Sequence, residues 1–124
     1  MSSGYSKALI IDDDSDLCLM LRSVIKKAIP EVEYAHTLAA GKELLNQLKP
    51  EVIFLDNNLP DGQGLHLVKE IKESLPGVFI VFISAVDLPG HTALEYGADV
   101  FLEKPFSYSS IFQALRIDPN SQSS

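Results

Sequence analysis

The chain predicts an α/β fold of the doubly wound kind, a five-stranded parallel sheet with helices on both faces. Three observations lead there. Short runs that are apolar at nearly every position, such as Val52–Leu55 and Val78–Ile83, are strands buried on both sides. These runs alternate with segments whose apolar residues recur every three or four positions, which makes βα units and hence parallel pairing. The length, 124 residues with 46% apolar side chains, suits one domain able to bury a core.

The elements follow in order. Ala8 to Ile11 is a strand stopped by Asp12, Asp13 and Asp14. Ser15 is placed to cap a helix carrying Leu17, Met20, Leu21, Val24, Ile25 and Ala28 at helical spacing, ended by Pro30. Glu31 to Ala35 reads as a more polar strand suited to a sheet edge. Ala39 to Leu48 is a second helix, with Leu44, Leu45 and Leu48 on one face and Pro50 beyond its end. Val52 to Leu55 is the next strand, followed by a turn from Pro60 to Gly64. From Gly64, the stripe Leu67, Val68, Ile71 and Leu75 makes a third helix closed by Pro76-Gly77. Val78 to Ile83 is the strongest strand signal. A short helix is expected from Gly90 to Tyr96, a brief strand from Val100 to Leu102, and a last helix capped by Ser107 and running to Arg116. This divides the chain into a disordered N-terminus (1–6), a folded unit (7–117) and a flexible polar tail (118–124).

Composition narrows the function. Seventeen acidic against ten basic side chains give a formal charge of −7, which argues against direct binding of nucleic acid. The single cysteine, Cys18, excludes an internal disulfide and reads as a small packing residue, with no Cys/His constellation around it in sequence. No leader-like segment and no membrane-length apolar run is seen, so a cytoplasmic location is expected.

The chemistry gathers at the strands' carboxyl ends, which in a parallel sheet lie along one edge, where such sheets bind ligands. Asp12 to Asp14 follow the first strand, Asp56 the third, Ser84 the fourth, and Lys104 lies just past the fifth. Each has an ordinary reading: a solvated helix cap, turn chemistry, a loop serine, a surface lysine. His36, His66 and His91 lack metal-ligand spacing and read as incidental surface side chains. Together and in this order, however, several carboxylates on one edge call for a cation. Oxygen ligands suit a hard ion, Mg2+ above all where phosphate is the partner. An ammonium, a hydroxyl and an in-line carboxylate complete a pocket able to stabilise a phosphoryl group in transfer.

At these residues the sequence resembles the receiver domain of two-component response regulators, from about Lys7 to Arg116. The matching stretches are ALIIDDDSDL, VIFLDNNLPDGQGL, VFIVFISA and GADVFLEKPFS. The resemblance implies a flavodoxin-like strand order of 2-1-3-4-5. It implies that Asp56 accepts a phosphoryl group from a sensor histidine kinase or a histidine phosphotransfer protein. Asp13 would be a direct ligand of Mg2+ (or Mn2+ in its place), Asp12 an acid acting through water, and Asn58 a backbone carbonyl ligand. Lys104 would pair with Asp56 and then with the phosphoryl oxygens, across a Lys104-Pro105 bond that is typically cis. Ser84 and Phe101 would form the switch pair, changing contacts with a downstream effector protein or domain. Asp14 is not expected to be a ligand.

The stretch from Ser84 to Gly97 is shorter than that pattern and carries Pro89-Gly90, which puts the usual dimer face in question; a monomer or weak dimer is expected. Val86, two past Ser84, cannot orient water as an acid or amide would, so a slow loss of the phosphoryl group is expected. An aspartyl phosphohydrolase would want a second acid where Asn58 stands, and a flavin binder would not tolerate three aspartates after strand one. A pseudo-receiver, interacting without phosphorylation, remains the alternative. No enzyme acting on an external substrate is expected.

Overall fold

Strands that are apolar at every position need cover on both faces, and the chain supplies it. The structure, a computed structural model, describes residues 4–84 and 90–115, with backbone only at 90 and 91. Val86, Pro89, the side chain of His91, Arg116 and the tail 118–124 lie outside the described residues; the last helix, expected to run to Arg116, ends at Ala114. Strands β1 (Lys7–Ile11), β2 (Glu31–Ala35), β3 (Val52–Asp56), β6 (Phe79–Ser84) and β7 (Val100–Glu103) form one parallel sheet in the order β2-β1-β3-β6-β7. This is the expected 2-1-3-4-5 order once a separate two-stranded ribbon, β4 (Asn58–Leu59) with β5 (Gly62–Gln63), is set aside.

Alternation along the strands divides the core. Ala8, Ile10, Val52, Phe54, Val81 and Ile83 pack with α1 (Ser15–Ile25) and α5 (Tyr108–Ala114). Leu9, Ile11, Ile53, Leu55, Ile80 and Phe82 pack with α2 (Leu38–Leu48), α3 (Gly64–Ser74) and α4 (Gly90–Glu95). β3 is buried at all five positions, as a central strand with helices above and below must be. β2 alternates between exposed and buried residues, which marks it as an edge. No helix among the described residues is long and apolar enough to cross a membrane.

Four expectations are corrected. Asp14, not Ser15, caps α1: its backbone is extended and Oδ1 accepts from Leu17 N at 3.1 Å, leaving Ser15 as the first helical residue. The Pro60–Gly64 turn is part of the β4–β5 ribbon, whose Leu59 is buried while Asn58 faces outward. Strands β3 and β6 each run one residue further than expected, so Asp56 and Ser84 are themselves the last strand residues. Of the segment 1–6, Tyr5 and Ser6 are held in place: Ser6 O accepts from Glu31 N at 3.1 Å, and the Tyr5 ring stacks on Phe79. The helix expected after Pro89 is short, as its sequence implies, and Ser107 caps α5 by accepting from Ser110 N at 3.2 Å.

Candidate functional site

Parallel register brings the strand ends into line. Ile11 lies opposite Leu55, Asp56 opposite Ile83, and Ser84 opposite Glu103. The residues just past the strands are tied to their neighbours: Asp12 N donates to Ala35 O at 3.0 Å, Asn57 N to Ile83 O at 3.0 Å, and Lys104 N to Ser84 O at 2.9 Å. Asp12, Asp13, Asp56 and Lys104, more than ninety residues apart in sequence, therefore meet at one edge. Lys104 Nζ sits 3.1 Å from Asp12 Oδ2 and 3.1 Å from Asp56 Oδ1. One carboxylate oxygen from each of Asp12, Asp13 and Asp56 lies within 4.8 Å of the others. Asp12 and Asp56 are buried, while Asp13 is exposed.

The charges respond to this crowding. Burial, and then the charge of Asp12, push the Asp56 carboxyl up to about 6, although Lys104 pulls the other way. Burial disfavours the Lys104 ammonium, yet the carboxylates of Asp12 and Asp56 outweigh it and hold its pKa above the usual lysine value. One ammonium is thus shared by two buried acids, with a third acid at the mouth. The donor set, hard carboxylate oxygens left with excess negative charge, fits Mg2+. At the end of β6, Ser84 Oγ is buried with no hydrogen-bond partner among the described residues. Phe101, opposite Phe82 on β7, is partly buried against the α2–α3 side of the core. The Lys104-Pro105 bond is cis.

The loop after Asp56 is fixed by residues that sequence reasoning did not single out. Asn57 is buried; its O accepts from Gly64 N at 2.8 Å and its Oδ1 from Leu65 N at 3.1 Å, capping α3 from seven residues before its start. Asn58 lies exposed on β4 opposite Gln63. Asp61 in the ribbon turn bonds the first amides of α2, Leu38 N at 2.8 Å and Ala39 N at 3.0 Å. Asp14 is engaged as the α1 cap, outside the three-acid cluster. His36 is not an incidental surface group: it is half-buried with Nδ1 2.9 Å from Asp12 O. Cys18, which has no Cys/His constellation around it in sequence, has Sγ 3.2 Å from the same oxygen and 3.9 Å from His36 Nδ1 in the fold. No local periodicity marks such contacts. His66 does lie on the surface, edge-on to Tyr96.

Residues 8–116 match the family model of the response regulator receiver domain. The chain belongs to that family. This receiver is 32% identical over 114 residues to the chemotaxis protein CheY of Thermotoga maritima, covering 88% of this chain and 93% of that protein. It is 29% identical over 113 residues to the KDP operon transcriptional regulatory protein KdpE of Escherichia coli, covering 90% of this chain but 50% of the regulator. The chain spans roughly half the length of the transcriptional regulators it matches. Among solved structures, the signal receiver domain of a DNA-binding response regulator from Colwellia psychrerythraea 34H shares the fold, with a TM-score of 0.82 at 19% identity over 90% of this chain and 95% of that one. NtrX from Brucella abortus superposes with a TM-score of 0.78 at 28% identity, over 90% of this chain and 27% of NtrX.

Proposed function

We propose that this receiver is a Mg2+-dependent phosphoryl acceptor, with Asp56 taking the group from a phosphohistidine on a sensor histidine kinase or a histidine phosphotransfer protein. The shared ammonium carries this reading: Lys104 Nζ at 3.1 Å from both Asp12 and Asp56, on the strand edge where an incoming phosphoryl group would arrive. In the transfer, a carboxylate oxygen of Asp56 bonds to phosphorus and the P–N bond of the phosphohistidine breaks. The bonding pair leaves with the imidazole, and the product is an acyl phosphate on Asp56. Asp12, Asp13, Asp56 and the Asn58 carbonyl would hold Mg2+ or Mn2+, which neutralises the acids and the phosphoryl oxygens when bound. Lys104 exchanges an Asp56 oxygen for a phosphoryl oxygen. The Ser84 hydroxyl, without a partner among the described residues, gains an acceptor in the same event, and Phe101 turns inward behind it.

On this reading the receiver unit spans 7–117, lies in the cytoplasm, and catalyses only its own phosphorylation and dephosphorylation. Its output is a changed contact with a downstream effector protein or domain, made as a monomer or weak dimer. Intact-mass spectrometry after incubation with acetyl phosphate tests it, with and without Mg2+, on wild type and Asp56→Asn. One added phosphoryl group that needs both the metal and Asp56 is expected. No adduct on folded, metal-binding protein would overturn the reading in favour of an interaction module that works without phosphorylation.

A further inference from the structure

The carbonyl of Asp12 has no strand to pair with. β1 ends one residue earlier and α1 begins three residues later, yet Asp12 is fully buried. A buried carbonyl without a donor costs on the order of 1–3 kcal/mol, and here two side chains far apart in sequence supply one each. Cys18 Sγ, in the first turns of α1, lies 3.2 Å from Asp12 O; His36 Nδ1, between β2 and α2, lies 2.9 Å from it. Since a carbonyl only accepts, the histidine bond puts a proton on Nδ1. The ring is further held against Tyr34, with centroids 5.3 Å apart. The rest of Asp12 is tied down as well: N to Ala35 O at 3.0 Å, and Oδ1 accepting from Asp14 N at 2.9 Å. The plane of the Asp12–Asp13 peptide, which sets the direction of both carboxylates, is therefore fixed from outside the acidic pocket.

We propose that His36 is a positioning residue for the acidic pocket: its Nδ1–H locks the Asp12 carbonyl and so presents the Asp12 and Asp13 carboxylates to a divalent cation in one arrangement. The thiol of Cys18 is a weak donor and does not substitute for it. The inference rests on the Mg2+-dependent reading of the pocket. It separates a bond from mere bulk, because asparagine and glutamine divide the two properties. In His36→Asn the side-chain amide nitrogen stands at the Nδ1 position and restores the donor. In His36→Gln the amide is nearer to histidine in size but carries its nitrogen to the Nε2 distance.

The experiment is an NMR titration of the full 124-residue chain with Mg2+, following backbone amides, on wild type, His36→Asn, His36→Gln and His36→Leu, with thermal melts alongside. Expected is near-wild-type affinity for the Asn variant and affinity weaker by about tenfold or more for Gln and Leu, the usual effect of removing an outer hydrogen bond from a metal ligand. In the metal-free wild type, long-range nitrogen spectra of the imidazole should place a proton on Nδ1. Equal affinities, or Gln binding better than Asn, would overturn the proposal, as would an imidazole protonated at Nε2 alone. If His36→Leu does not fold, the Asn and Gln order decides. A wild type that binds Mg2+ but gains no mass from acetyl phosphate would remove the phosphoryl reading while leaving the positioning role to be judged by that order. A wild type that binds no Mg2+ would overturn both.

Discussion

At Gly64 the first residue of α3 passes so close to β3 that a Cβ built there would stand 2.1 Å from Asp56 O. That oxygen belongs to backbone and cannot swing aside, so any side chain must push β3 and α3 apart. Gly64→Ala is expected to lose at least about 2 kcal/mol in denaturant unfolding and, on the proposed function, to lower phosphoryl uptake at Asp56. A near-neutral alanine would mean that the loop relaxes elsewhere. Cys18 gives a second expectation at this scale. Burial, then the negative charges of Asp12 and Asp14, push its thiol up to about 12, so almost no thiolate exists at neutral pH. An aromatic disulfide reagent should leave the native protein unlabelled and react fully once denaturant is added; fast native labelling would contradict the burial. The packing role of the thiol was read from the absence of a Cys/His constellation around it in sequence. Its bond to Asp12 O was not, since nothing in an i to i+6 spacing signals a donor aimed at a loop carbonyl.

The helices illustrate what an element owes to distant residues. α2 was visible from Leu44, Leu45 and Leu48 and from Pro50 beyond it, and its bounds came within a residue of those observed. What satisfies its first amides was not visible, because two of them are bonded from the β4–β5 turn, 23 and 22 residues away, by the two oxygens of Asp61; the third is capped locally by Thr37 Oγ1 at 3.0 Å. This couples the loop that follows Asp56 to the amino end of a helix on the α2–α3 side. Hydrogen bonds from Leu38 and Ala39 hold the Asp61 carboxyl below its ordinary value of 3.8. The stabilisation is therefore fully present above the unfolded value and is lost as pH falls through the lower, folded one. Asp61→Asn should melt at a lower temperature than wild type at neutral pH, and the gap should close as the solution is acidified below the normal carboxylate range. A gap that persists unchanged in acid would mean that the carboxylate's charge contributes nothing to the cap.

Across the whole molecule, what was legible followed from topology: apolar strands alternating with helices force parallel pairing, and parallel pairing carries Asp12, Asp56, Ser84 and Lys104 to one edge without any long-range sequence signal. The side chains that brace this edge, His36, Asn57 and Asp61, were not, because each acts through a backbone atom of another element. The same convergence has a cost in stability. Asp56 is buried among acids, and its carboxyl ionises at about 6 in the folded protein against 3.8 in an ordinary setting. Between about pH 4 and 6 the unfolded chain has already released that proton while the folded protein retains it. The folded state binds more protons in this window, so the contribution of Asp56 falls as pH rises and levels off above it. A difference of two pH units corresponds to about 3 kcal/mol. In metal-free buffer, Asp56→Asn should accordingly be more stable than wild type at neutral pH by a value of that order, and the advantage should shrink toward zero as pH is lowered to 4. Mg2+ should then raise the wild-type unfolding midpoint, by binding the folded state alone, and raise that of the Asn variant less. Parallel urea titrations of the two proteins at several pH values, with chelator or Mg2+, read all of this; an advantage independent of pH would mean that Asp56 carries no burial cost and that the acids at this edge are compensated by protein groups alone.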